Sequence, residues 1–557
     1  MWVKFLLLFF TFSFLFRTDL SFDQDLGRHI KLGEIIWQTK EVPKTNLFSY
    51  TNPDFEYINS HWLFEVLAYG FDQTIGVGWL LALKISIFLF SVWLILKVIP
   101  KENQFLLLPI GFIFLHVLRE RLELRPEIFS FLFTAIALFM LERFLKTGSR
   151  LIFILPVIQL IWINTHIYFF VGLALQGIYL IHSLGVKLTH PRGVIGSHLG
   201  ILAVVLISSC LISLINPHGI SSFLYPLSVT KNYGYTIVEN QTMFLLENIG
   251  FRDPNFLFVK ISAFLVGLSV LVSLIRKGLN TKNLLISLFG LTLALMHVRG
   301  FPYLVLLSLP AVIQNFGAVK SNGLTQMLTA VVAILLLIES YLYLNGDYYK
   351  YTNNSHQPGL RMGQSVKGAM NFVLAKDLAG PIYNNFDIGS YILYRGYPRY
   401  KVFVDGRPEA YPKEFFLDTY IPTQSDYTRF MDLEKKWGFK TIIFSHTDQT
   451  PWGKAFLQNI VKDPAWIMIY IDDFVIILVR SDVIDEENLT VVDLSKLEPG
   501  SYQFSNHLSY IRIGYLLLSI GQQDSGKQFI LKAKELFPES PIINQIIGDQ
   551  VTNKFFW

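Results

Sequence analysis

A polytopic α-helical membrane protein of about eleven transmembrane helices, with a C-terminal extracytoplasmic α/β domain and a short helical hairpin, is the fold class this sequence predicts. Three observations carry that expectation. Hydrophobic residues make up 52% of the 557 and charged residues only 16%, with mean hydropathy +0.42, against about 25% charged in soluble domains. Apolar runs near the roughly 20-residue length that spans a bilayer recur as far as Leu344. Beyond Leu344 the composition turns polar, and short apolar runs alternate with helix-like stretches. The net charge of +5 is small for this length, and no nucleic-acid partner is expected. Cys210 is the single cysteine, which excludes a disulfide framework and a cysteine metal site.

The N-terminus opens with Lys4 and an apolar stretch, as a signal peptide does. Phe16-Arg17-Thr18 offers no small-residue cleavage pattern, so a retained first helix over 2–19 is expected. Further spans are expected at 77–98, 104–118, 126–145, 151–165, 168–184, 197–214, 256–275, 283–297, 301–316 and 325–344. Lys84 is the clear mid-span charge and is expected to snorkel. Basic residues in alternate connections set the orientation. Lys97, Lys101, Arg143, Lys146, Arg150, Lys187, Arg192, Arg276, Lys277, Lys282 and Lys320 fall on one side, which makes the N-terminus cytoplasmic. The connections 20–76, 119–125, 165–167, 215–255 and 297–300, and the tail, are then outside.

Those outer pieces hold the unusual polar residues. Asp23 and Asp25 follow the first helix, with Arg28 and His29 on the next helical turn. Charges beside the acyl chains are costly, which favours a functional role; the alternative is that both aspartates cap a short helix starting near Leu26. Arg119, Arg121 and Arg125 break the charge bias on the outer side. Local pairing with Glu120, Glu123 and Glu127 is one reading. An anion site is the other, because guanidinium matches phosphate oxygens bidentately. His61 and Glu65, Asn164 and His166, Asn216 and His218, and His297 and Arg299 sit at a similar expected depth. No spacing of the HExxH kind occurs, so a histidine zinc centre is not expected. The long connection 215–255 either covers a site or rests on the membrane.

The tail divides into a linker at 345–360, an α/β domain at 361–482 and a helical segment at 483–557, behind a membrane domain at 1–344. Strand-like runs are read at 380–383, 401–404, 440–444, 466–471 and 474–479, the last two forming a hairpin through Asp472-Asp473. Asp387 and Asp405 lie at strand ends, where ligands gather in open α/β sheets, or serve as a helix cap and a turn. The segment 510–548 reads as one tetratricopeptide-like helical hairpin, which must dock on a neighbour to bury its apolar face.

Several motifs occur as an ordered set. DQDLGRHIKLG, VPKTNLFSYT and HWLFEV lie in the first outer loop, then LRPEIFSF, WINTH, INPHG and RGFP follow, and IYNNFDIGSYI and VFVDGRPEAY lie in the tail. Over roughly residues 20–420 this set resembles a family of bacterial polytopic proteins in the glycosyltransferase C superfamily. The residue after His166 is Ile167, where that family carries glycine. The resemblance implies an inner-membrane enzyme that takes sugar from a polyprenyl-phosphate donor at the outer face and gives it, with inversion, to a glycan, lipid or protein acceptor of the envelope. By position, Asp23 or Asp25 would be the acidic loop residue, acting as general base, holding the acceptor, or holding a divalent metal such as Mg or Mn. The arginines would then neutralise the departing lipid phosphate. A non-catalytic envelope scaffold and a transporter of anionic solute are the competing readings.

Overall fold

The computed structural model describes residues 2–100, 103–189, 198–229, 233–317, 322–487 and 489–548; Lys101, Arg192 and Lys320 lie outside the described residues. The protein is mostly helical, with one four-stranded sheet. The described part of each expected apolar run is largely helical. Among the described residues, five helices are long and apolar enough to cross a membrane: Gly78–Val98, Glu127–Thr147, Ile167–Thr189, Pro254–Ile275 and Gly323–Asn345. Trp2–Leu15, Arg150–Ile163, Leu199–Ile212 and Thr281–Met296 are apolar but shorter. At about 1.5 Å per residue, a 14-residue helix such as Trp2–Leu15 falls well short of a hydrocarbon core about 30 Å thick.

The first helix stops at Leu15 rather than continuing to residue 19, because the chain there is drawn into extended pairing. Thr18 N–H donates to Gln357 O at 2.8 Å and Asp19 N–H to Arg361 O at 2.9 Å. The linker is therefore part of the packed structure, and it contains the short helix Asp347–Tyr351.

Lys84 does not snorkel. Its side chain is 1% exposed and its Nζ lies 2.8 Å from Asp19 Oδ2, which also accepts from Leu124 N–H. Burial disfavours the Asp19 carboxylate, but the charge of Lys84 together with hydrogen bonds from Glu123, Lys84 and Ser21 outweighs it and holds the pKa below the usual range. Snorkelling needs a clear path to water, and the partner removes the need for one. Lys84→Met should lower thermal stability sharply, on the order of 3–5 kcal/mol, by leaving Asp19 buried and unpaired. The double variant Lys84→Met/Asp19→Asn should recover most of that loss in a thermal-unfolding series.

In the tail, β1 (Ile382–Asn384), β2 (Thr441–Ser445), β3 (Trp466–Ile471) and β4 (Val475–Arg480) form a sheet in the order β1-β2-β4-β3. β1 runs parallel to β2 with Tyr383 opposite Ile442; β4 is antiparallel to β2, with Ile443 opposite Ile477, and to β3. Residues 401–404 are not a strand of this sheet. The Asn384 side chain takes up their backbone groups, accepting from Phe403 N–H (3.0 Å) and donating to Val404 O (2.8 Å), while Val402 N–H donates to Phe48 O of the first long loop (3.1 Å). The helices His507–Ser519 and Gln523–Leu536 follow, and Ser509 and Arg512 of the first bond to Asp473.

The first long loop supplies two packed helices, Gly27–Thr39 and Trp62–Thr74. They meet at Gly33, where a β-carbon would come within 2.0 Å of Glu65 O, so only glycine permits this approach. The loop is also clamped against the tail: a β-carbon on Gly406 would lie 2.7 Å from Gln24 O. These two contacts position the residues that follow.

Candidate active site

A cavity of about 90 Å³ opens where the first long loop meets residues 121–127, the long connection, Arg299 and the Gly406–Glu409 turn. Asp25, Arg28, His29, His61, Arg121, Arg125, Glu127, His166 and Arg299 line it, together with Tyr233 and Glu409. The volume has room for about three waters, at roughly 30 Å³ each.

Its centre is a charge network. Arg125 Nε lies 2.9 Å from Asp25 Oδ2, and Arg28 Nη2 lies 2.9 Å from Asp25 Oδ1. Arg121 pairs with Glu127 at 2.7 Å. Glu239, on the turn Val238–Asn240, accepts from Arg125 at 2.6 Å and from Arg299 at 3.3 Å, and pairs with Arg121 as well. Burial works against an ionised Glu239, and the three guanidiniums overcome it, holding the carboxylate well below its usual range. Asp25 follows the same logic: burial raises its pKa, Arg125 and Arg28 lower it, and the net direction is down.

The two aspartates part company. Asp23 does not line the cavity; its Oδ2 accepts from Ser365 N–H at 2.8 Å, and its Oδ1 from Val366 N–H at 3.5 Å, at the start of the helix Lys367–Ala375. Neither aspartate caps the helix that begins at Gly27. Burial pushes Asp23 up to about 7, against the pull of the Ser365 and Val366 amides. A raised acid holds its proton in the folded state, so the stability it contributes is present below about pH 4 and lost as pH rises to about 7. Asp23→Asn should therefore melt with wild type at acid pH and above it at pH 8, by a few kcal/mol at most, as thermal-shift curves across pH would show.

The imidazoles form a second line. His29 Nδ1 is 3.1 Å from Glu65 Oε1, while Asn59 Nδ2 donates to Glu65 Oε2 at 2.7 Å. The His29 and His61 rings lie 5.7 Å apart, and His61 and His166 lie 5.5 Å apart. His166 Nδ1 is 2.7 Å from Ser130 Oγ, and its ring stacks on Tyr168, whose hydroxyl reaches His297 at 3.2 Å.

The remaining sequence candidates lie elsewhere. Arg119 bonds to Glu339 (3.1 Å) and Asn255 (2.8 Å) and ties its loop to the last spanning helix. Asn164 accepts from Trp62 Nε1 at 2.7 Å and donates to Ile215 O at 3.0 Å. Asn216 accepts from His218 N–H at 2.9 Å and shapes a turn. Of the tail carboxylates, Asp405 is buried in a pair with Arg407 at 2.7 Å, as a turn residue.

A divalent cation does not fit Asp23 and Asp25. One carboxylate accepts backbone amides and the other faces two guanidiniums. Among the described residues no group of three or more His, Cys, Asp or Glu side chains gathers as a metal would need.

Sequence reasoning missed Glu239, Tyr233 and Glu409. A carboxylate in a polar connection carries no local signal; its role comes from the three arginines it meets.

No protein-family model matches the sequence, and neither does any curated protein. Solved structures do. One is the archaeal oligosaccharyltransferase AglB from Archaeoglobus fulgidus in complex with an inhibitory peptide and a dolichol-phosphate, with TM-score 0.54 and 11% identity over 88% of this chain and 74% of that chain. A second is the Archaeoglobus fulgidus oligosaccharyltransferase tethered with an acceptor peptide by a disulfide bond, with TM-score 0.54 and 10% identity over the same shares. At these identities the likeness shows the fold alone.

Proposed function

We propose that this protein is a membrane glycosyltransferase that takes a sugar from a polyprenyl-phosphate donor and transfers it, with inversion, to an envelope acceptor at the outer face of a bacterial inner membrane. One observation carries the reading: Arg28, Arg121, Arg125 and Arg299 share a single cavity with the carboxylate of Asp25. The fold likeness to an oligosaccharyltransferase solved with dolichol-phosphate supports it.

The chemistry follows from the charges. A lipid phosphate departing from the anomeric carbon gains negative charge, and guanidiniums already aimed into the cavity neutralise it without reorganising. Glu239 now occupies Arg121, Arg125 and Arg299, so donor phosphate takes its place on them. Asp25, kept ionised, holds the acceptor and faces the positive charge that develops at the anomeric carbon. A single displacement at that carbon inverts its configuration. In this reading residues 1–344 are the membrane domain, with a cytoplasmic N-terminus; the α/β unit at 361–482 and the helical tail at 483–557 lie outside the cytoplasm, and the acceptor is a glycan, lipid or protein.

The test is to reconstitute the purified protein in nanodiscs with labelled polyprenyl-phosphate sugars and candidate acceptors. Transfer or hydrolysis of at least one donor is expected, with an inverted anomer by NMR. Donor binding without turnover on any acceptor would instead identify a non-catalytic envelope binding protein.

A further inference from the structure

We propose that His29, held by Glu65, is the group that accepts the proton of the incoming acceptor hydroxyl; this rests on the glycosyltransferase reading above. Asp25 is poorly suited to that task, since guanidiniums stand 2.9 Å from each of its oxygens. A carboxylate so neutralised has little affinity for a proton.

His29 is placed differently. It lines the cavity, and behind it Glu65, 1% exposed, sits 3.1 Å from Nδ1. Asn59 in turn donates to the other Glu65 oxygen at 2.7 Å. With the Nδ1 proton donated to Glu65, Nε2 carries the lone pair, and the ring cannot turn without breaking that bond. A base oriented by a buried third group is the arrangement proton-abstracting sites require. The packing that brings it about is written in the helix: His29 and Gly33 stand one turn apart on one face, and Gly33 alone lets that face reach Glu65.

The neighbouring imidazoles lack this support. His166 Nδ1 is engaged by Ser130, and among the described residues no hydrogen bond or ion pair to a carboxylate holds the His61 ring, which feels Asp25 only through its charge. The groups that face His29 are Glu65 and His61 on and before the helix Trp62–Thr74, Arg28 on its own helix, and Arg125 and Arg407 from other elements, with Asp25 and Glu409 sharing the cavity. Burial lowers the pKa of His29, with Arg28 and His61 acting the same way, and burial raises Glu65 to about 7. As pH rises through that value Glu65 ionises, and its carboxylate then opposes the lowering by stabilising the imidazolium formed when Nε2 takes a proton.

The step balances. The acceptor oxygen bonds to the anomeric carbon as its proton passes to Nε2. The bond from that carbon to the phosphate oxygen breaks, and its electron pair leaves on the lipid phosphate facing Arg121, Arg125 and Arg299. Imidazolium paired with the Glu65 carboxylate remains, and it returns the proton to water as product leaves.

Steady-state transfer from pH 5.5 to 9, in nanodiscs with an accepted donor, tests the assignment on wild type, His29→Gln and Glu65→Gln. In wild type kcat should climb along a limb near pH 7. His29→Gln should lose about 10²–10⁴-fold in kcat, with donor KM within about threefold, and its residual rate should lack the limb. Glu65, a positioning residue, should cost less on substitution by Gln and displace the limb. A His29→Gln enzyme that keeps its rate and its limb overturns the proposal alone. If that variant does not fold, an unmoved limb in Glu65→Gln overturns it equally. A wild type that transfers from no donor rejects the glycosyltransferase reading, and the proton acceptor with it.

Discussion

Asp25→Asn should abolish transfer, lowering kcat by about 10³-fold while the protein inserts and folds as wild type does. The substitution preserves shape and removes one charge. That charge is what Arg28 and Arg125 are gathered around, and in the proposed reaction it faces the positive charge that develops at the anomeric carbon. Asp23→Asn is the internal control, because its carboxylate accepts from the amides of Ser365 and Val366, does not line the cavity, and should be dispensable for the chemistry. Labelled-donor kinetics on both variants decide the matter; wild-type transfer in Asp25→Asn would remove the carboxylate from the mechanism.

Arg125→Ala should raise the donor KM by about 10- to 100-fold and leave the acceptor KM nearly unchanged, in line with the ~1.5–3 kcal/mol of a charged hydrogen bond. Among the described residues Arg125 is the one guanidinium that touches both Asp25 and Glu239. Glu239→Gln should move donor affinity the other way, because a neutral amide competes less well with phosphate for Arg121, Arg125 and Arg299. Equal losses for donor and acceptor in Arg125→Ala would assign that side chain to scaffolding.

Much of the candidate site was legible because chemistry that is expensive near a bilayer stands out in an apolar chain. Asp25, Arg121 with Arg125, His166 and Arg299 drew attention from four separate connections, and the fold brings them to one cavity. Arg119 carried the same signal and went elsewhere, because Glu339 on the last spanning helix captures it. Periodicity could not foresee that, since the partner is more than two hundred residues away. Lys84 was misjudged for the same reason: a lysine in an apolar helix reads as snorkelling until Asp19 is seen beside it. Residues 401–404 have the composition of a strand, yet the Asn384 side chain and the first loop use their backbone groups.

By itself the sequence determined the apolar helices, the alternation of strands and helices in the tail, and the residue types that a phosphate-neutralising site needs. Each follows from local hydropathy and side-chain chemistry, which depend little on distant partners. Only the tertiary structure decided which aspartate faces the arginines, that Glu239 occupies them, and that His29 is backed by Glu65. Those are matters of a few ångströms between segments far apart in the chain, and they rest on packing at Gly33 and Gly406 that no periodicity encodes.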